Sequence, residues 1–314
     1  MEWSERIGRN LRPRDLHVFL TVVEEGNMAK AADRLAISRP VVSKTIAALE
    51  RALDVRLLDR IARGVEPTIY GHALVKRSAA VFDELRQGVK EIEFLSNPEE
   101  GELRVGCTEV WAAGLVPAAI ERLVQRYPGV KFHVELSTAP LQFNLLRDRK
   151  CELVVARLLT DVQEVDLDIE PLFFEQLRVV AGAGNKWARR PRVGLAELID
   201  EPWILSPFEL ERGSPLVDAV RALGLSVPKP RILSNSLNLR NTLLAGGRYL
   251  TLVPGSVIEF GPSKPLFKVL PVELPRWQRP LAVFRLKNRT LSPVAQLFIE
   301  CIRQAAKPLT GQRR

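Results

Sequence analysis

A chain of 314 residues, 46% of them hydrophobic, is long enough for about two domains with buried cores. Its formal charge of +9 favours contact with a polyanion, although many proteins are as basic. Three cysteines (107, 151 and 301) exclude a disulfide framework, no apolar run approaches the ~18–20 residues of a membrane span, and residues 1–10 lack the apolar stretch of a signal peptide. The expected compartment is therefore the reducing cytoplasm.

The first helical pattern is Leu16, Phe19, Leu20 and Val23, one apolar face at i, i+3, i+4, i+7. Residues 27–50, NMAKAADRLAISRPVVSKTIAALE, then read as two helices joined by a tight turn. Ala31, Ala32 and Leu35 give the first a narrow, small face that permits close backbone approach. Ala36 and Ile37 make the turn, Ser38 is placed as N-cap, and Pro40 sits in the first turn, where a missing N–H costs nothing. Val42, Ile46, Leu49 and Leu53 point the second helix inward. Its other face carries Arg39, Ser43 and Lys44, side chains suited to base edges and phosphates. Ser38, Arg39, Pro40, Ser43 and Lys44 are the expected DNA-binding group. Residues 60–68 read as a basic hairpin with Gly64 at its tip, a wing whose Arg63 would enter the minor groove. Between Lys30 and Arg63, eight Lys/Arg (30, 34, 39, 44, 51, 56, 60, 63) face four acids (33, 50, 54, 59). The same pattern also fits a trihelical packing unit with a solvated charged face.

The stretch FLTVVEEGNMAKAADRLAISRPVVSKTIAALERALDVRLLDR (residues 19–60), followed by Pro67-Thr68-Ile69-Tyr70-Gly71, resembles the LysR-type transcriptional regulators. The family's pattern is an Ala-Ala pair, a Leu, a Ser-x-Pro helix start, Ser-Arg/Lys, Leu-Glu, and Leu-Thr-x-x-Gly leading into a long helix. Arg39 stands where Gln is usual, Asn27-Met28 where Ser-Phe is common, and Pro67 where Leu is usual. The first departure would move base preference toward guanine, whose O6 and N7 suit Arg.

Thr68 is placed to cap a proline-free helix reaching about Leu95, a rod of roughly 40 Å. Leu74, Val81, Leu85, Ile92 and Leu95 form a near-heptad stripe that a second chain or the chain itself must cover. Residues 96–101 read as a hinge. Beyond it, short branched runs near 103–107, 130–136, 152–156, 177–181, 203–205, 249–253 and 281–286 alternate with helical stretches, an α/β pattern.

The expected fold is α/β overall: a winged helix-turn-helix (1–67), a linker or dimerisation helix (68–95), a hinge (96–101), an effector-binding domain (102–306) and a tail (307–314) that reads as frayed. The resemblance implies that the effector-binding domain is periplasmic-binding-protein-like (type 2), with subdomain I at about 102–165 plus 275–306 and subdomain II at about 166–274. The chain would cross first near 160–171 and return near 268–281. Ligands in such folds bind outside the carboxyl ends of strands. That rule names a cleft that takes in Glu109 and selects Thr108, Trp111, Ser137, Thr138, Arg157, Ser206 and Asn235 as effector-binding candidates. Hydroxyls and free helix N–H groups favour an organic anion. Each candidate also has a plain reading as loop, cap or core residue.

No catalytic constellation, cofactor or metal site is expected. Gly182-Ala-Gly184 lacks the third glycine of a dinucleotide fingerprint, and His17, His72 and His133 lie far apart. Cys107 is expected to be a buried structural cysteine. The expected partners are double-stranded DNA, a small-molecule effector and further copies of the chain, as homodimer or homotetramer, with no membrane. The rival reading, an enzyme or a transport-type binding protein built on the same α/β half, is opposed by the helix-turn-helix and by the missing catalytic groups.

Overall fold

The computed structural model describes residues 11–62, 64–98, 100–138, 141–157, 165–261, 266–277 and 279–310. The chain divides into two compact units, with the boundary between Val89 and Lys90.

The first unit opens with α1 (Pro13–Glu25), α2 (Met28–Arg34) and α3 (Arg39–Leu53). Phe19, Val22, Ala31, Ala32, Val42, Ile46 and Leu49 form its core. The two alanines leave room for the neighbouring helices, and the aromatic and branched residues fill it. Asn27 caps α2, its Oδ1 accepting from Ala29 N at 2.7 Å. Ala36 takes the left-handed conformation in the turn (φ 52°). Ser38 occupies the N-cap position of α3 as expected, but its hydroxyl makes no capping hydrogen bond. Its carbonyl does that work instead, accepting from Val41 N and Val42 N.

Strands β1 (Leu58–Ile61) and β2 (Gly64–Pro67) pair antiparallel as the expected hairpin. Glu50 holds the approach to β1, its Oε1 accepting from Leu57 N (2.8 Å) and Leu58 N (3.3 Å). Gly64 is required by close approach: a Cβ there would stand 2.1 Å from Gly26 O, the carbonyl that accepts from Val65 N. Arg63 lies outside the described residues.

Thr68 starts α4 (Ile69–Ser96), its Oγ1 accepting from Gly71 N at 3.1 Å. Val81, Leu85, Val89, Ile92 and Leu95 are exposed along this helix. Leu74, expected in the same stripe, instead packs against the helical core, and Val89 takes a place in the exposed row. The far end of α4 belongs to the second unit. There Lys90 Nζ reaches Glu152 Oε1 at 2.7 Å, and Phe94 packs on Tyr127.

The second unit runs β3 (Glu100–Cys107), α5 (Glu109–Ala112), α6 (Leu115–Arg126), β4 (Gly129–Leu136), α7 (Asn144–Arg147), β5 (Leu153–Arg157), β6 (Leu167–Phe173), β7 (Leu177–Gly182), β8 (Trp203–Leu205), α8 (Pro215–Ala222), β9 (Ile232–Leu233), α9 (Leu237–Ala245), β10 (Leu250–Pro254), α10 (Gly255–Phe260), β11 (Phe267–Val269), β12 (Leu281–Leu286) and α11 (Pro293–Thr310). The strands form two five-stranded sheets, ordered β4-β3-β5-β12-β6 and β11-β7-β10-β8-β9. In the first, β3 is parallel to β4 and β5, while β12 is antiparallel to β5 and β6. Helices α6 and α11 cover that sheet, with Leu115, Leu123, Phe298 and Ile302 fully buried against Leu103 and Val105. Trp203, Leu216 and Leu252 centre the core of the second.

Two details differ from the sequence expectation. The first crossing lies at 174–176, not near 160–171, so β6 belongs to the first sheet. Its sequence, LDIEPLF, hides it: Pro171 and the charges Asp168 and Glu170 disfavour a central strand, yet β6 pairs on one side only. The return crossing, between β11 and β12, falls within the expected 268–281 region. Finally, the frayed tail expected from Lys307 is helical through Thr310, because Leu309 is buried in the first sheet's core; residues 311–314 lie outside the described residues.

Candidate functional site

Helix α3 presents one face to the core and the other to solvent. Val42, Ile46 and Leu49 are buried, while Ser38, Arg39, Pro40, Ser43 and Lys44 are all exposed. Among the described residues neither Arg39 nor Lys44 takes part in an ion pair. Arg34 behaves differently: its Nη1 lies 2.9 Å from both Glu24 Oε2 and Glu25 Oε1, and the two carboxylates raise its pKa. It adds to the basic count without adding a free charge. Arg56 and Arg60 are exposed on and beside β1.

In the second unit a cavity of about 400 Å³ opens at the carboxyl ends of β3, β4 and β5 and is closed by residues of the second sheet. Thr108, Trp111, Ser137, Thr138, Arg157, Ser206 and Asn235 all line it. Strand ends place them: β3 stops before Thr108, β4 before Ser137, β5 at Arg157 and β8 before Ser206. The register of β3 with β4 carries across, since Ser137 N donates to Cys107 O at 3.0 Å. Trp111 is largely a core residue, 4% exposed, that shows an edge to the cavity.

Two arginines line this space in contrasting states, Arg240 buried and Arg157 half-buried. Arg240 forms a bidentate pair with Glu209 (Nη2 to Oε2 2.9 Å, Nη1 to Oε1 3.1 Å) and donates further to Ser234 O and Leu252 O. Glu209 in turn accepts from Ser206 N. Arg157 has neither: its Nε is buried and unpartnered, and it donates to no described residue. Its guanidinium lies over the ring of Trp277, Cζ 3.4 Å from the ring centroid. Burial pulls its pKa down to about 10, partly opposed by the more distant carboxylates of Glu209, Glu175 and Glu211.

Sequence reasoning missed Gln142, Glu209, Arg240 and Trp277, and it placed Glu109 at the cleft without giving it a role. Glu109, on α5, reaches across to α9, its Oε1 accepting from Asn238 N (3.0 Å) and Ser236 Oγ (3.4 Å). A carboxylate there complements the helix N-terminus. The strand-end rule places Glu109 at the cleft but does not give its partner on α9. Arg240 lies inside a helix and Trp277 on a crossing, where that rule says nothing.

At the crossings, Glu175 is 2% exposed. Its Oε2 accepts from Ser256 Oγ (2.5 Å) and its Oε1 from Gln176 N (3.0 Å). Burial still pushes its pKa up. Trp277 N donates to Glu175 O, tying the two crossings together. Cys107 and Cys151 are buried, and burial pushes both thiols up to about 12. At neutral pH both are protonated, the less reactive form. Among the described residues no helix is long and apolar enough to cross a membrane.

Residues 96–307 match the LysR substrate binding domain, and residues 13–72 match the bacterial regulatory helix-turn-helix protein of the lysR family. The chain is 28% identical over 303 residues to the HTH-type transcriptional regulator GbpR of Azospirillum brasilense, covering 94% of this chain and 87% of that one. A full-length, cysteine-substituted OxyR from Pseudomonas aeruginosa shares the fold with a TM-score of 0.65 at 21% identity, covering 97% of this chain and 99% of that one. Full-length CbnR, crystallised with its target DNA, superposes with a TM-score of 0.55 at 22% identity, covering 94% and 100%.

Proposed function

The chain belongs to the LysR family: it is a DNA-binding transcriptional regulator with an effector-binding domain and not an enzyme, and from that premise we propose how it reads DNA and how a ligand alters the reading. Helix α3 enters the major groove through Ser38, Arg39, Pro40, Ser43 and Lys44. Arg39 pairs with a guanine edge, Ser43 and Lys44 hold base edges and phosphates, and Arg63 follows the minor groove. The observation that carries this reading is the joint exposure of those five α3 side chains above the buried Val42, Ile46 and Leu49. The DNA-bound form of CbnR, whose fold the chain shares, supports it.

Residues 1–67 act as the DNA-binding domain, 68–95 as the dimerisation helix, 96–101 as the hinge and 102–306 as the effector domain. Two copies pair along the exposed row Val81, Leu85, Val89, Ile92 and Leu95, as a dimer or as the unit of a tetramer. The pair then meets two half-sites about 34 Å apart on one DNA face. A small effector fills the cavity between the two sheets and favours one closure state over another. The resulting change in subunit packing alters DNA binding or bending, in the cytoplasm where the DNA lies.

Gel-shift titration against the chain's own upstream DNA tests this at several salt concentrations. A specific complex persists at salt that removes complexes with random DNA. Loss of both at the same salt concentration would refute sequence-specific binding.

A further inference from the structure

Four charged side chains line the cavity among the described residues: Glu109, Arg157, Glu209 and Arg240. Glu209 and Arg240 neutralise one another, and Glu109 is held by the N-terminus of α9. Arg157 is the exception. Its half-buried guanidinium, with Nε wholly withdrawn from water and no carboxylate in contact, carries a desolvation cost that an anion relieves. Trp277 holds its face but offers no acceptor, so its N–H groups have no described partner. An arginine stacked on an aromatic ring has its planar fork held for in-plane, bidentate capture of a carboxylate.

The rest of the cavity sets the remainder of the ligand. Val110, Trp111, Leu136, Phe208, Leu252 and Pro254 supply apolar wall, enough for a ring or a branched chain. Glu109 adds a negative charge, which disfavours a second anionic group on the ligand. With the cleft taken as the effector site, we infer that Arg157, held by Trp277, is the seat for the carboxylate of a monocarboxylate with an apolar body, and that Glu109 rejects dicarboxylates. Trp277 lies on the return crossing and is hydrogen-bonded to Glu175 on the outgoing one. Occupation of the seat is thereby felt at both connections between the sheets.

Calorimetric titration of the full chain tests this with the phenylalkanoates from phenylacetate to phenylpentanoate, their primary amides, and their para-carboxylated counterparts. The best acid binds roughly thirtyfold more tightly than its amide, the size of a bidentate charge-assisted contact. The para-carboxylated form binds about tenfold less tightly than the parent acid. Arg157→Gln brings acid and amide within about threefold, while Arg157→Lys keeps an intermediate preference because charge survives without the fork. Trp277→Phe weakens the acid by about threefold and leaves the amide unchanged. Amides binding as well as acids, or an acid preference that survives in Arg157→Gln, would overturn the anion seat while leaving the cleft as a binding site. Binding of dicarboxylates as tight as that of the parent acids would remove the role given to Glu109. If neither acids nor amides bind, the inferred ligand class is wrong; if, in addition, no other small molecule that binds the chain changes its DNA complex, the cleft reading falls with it.

Discussion

The two functional regions expose their chemistry in opposite ways. On α3 the polar group stands on the outside of a helix whose inside is core, so one periodicity decides both faces. In the cleft, side chains from β3, β4, β5, β8, α9 and a crossing converge, each near in space and far in sequence. A helix face therefore tolerates loss of a polar group with little change in stability. The buried Arg240–Glu209 pair of the cleft does not, because each of its two ions leans on the other.

The sharpest way to break this contrast is Glu209→Ala. It strands Arg240, which is 4% exposed, and should lower unfolding stability by about 3–5 kcal/mol in urea titration. A loss under about 1 kcal/mol would mean that the pair is not buried as described. Leu85→Asp in the exposed row of α4 places a charge in the proposed seam. The dimer should weaken by about 3 kcal/mol, more than a hundredfold in sedimentation equilibrium, with the fold intact. An unchanged dimer would move the seam elsewhere.

Arg39→Ala and Lys44→Ala should cost about 1–3 kcal/mol and up to about 1 kcal/mol of operator affinity respectively, with unaltered unfolding curves. Only Arg39→Ala should relax base preference, measurable by competition among operator variants. Lys44→Ala should reduce the salt slope by about one. Equal selectivity before and after Arg39→Ala would remove its guanine contact.

The smallest effect concerns Glu175. Burial raises its pKa above its ordinary value of 4.5, so the folded chain binds this proton more tightly than the unfolded chain. Stability from this group is full below the ordinary value and is lost as pH rises through the window up to the raised value. Glu175→Gln should flatten that fall in melts taken across acidic to neutral pH. An unchanged slope would assign the pH dependence to other groups.

Much of the fold was legible because its signals are local. Ala31, Ala32, Val42 and Ile46 announce the helix pair, and Thr68 announces the start of α4. In the cleft, Thr108, Ser137, Arg157 and Ser206 were legible from strand ends once the family resemblance supplied the two-subdomain fold. Strand β6 was not, because an edge strand tolerates Pro171 and alternating charge. Arg240 and Trp277 were not, nor was the role of Glu109, because their importance lies in partners more than thirty residues away: Glu209, Arg157 and Asn238. The stripe on α4 was legible apart from Leu74, which meets its own domain's core before any second chain can reach it.

The most direct test is nuclease footprinting of the upstream DNA with the full chain, before and after saturation by the tightest-binding phenylalkanoate. Two protected half-sites about 34 Å apart are predicted, with the spacing or the hypersensitive positions between them changing when the ligand binds. A footprint that is identical with and without a ligand demonstrably held in the cleft would contradict the coupling on which this account rests.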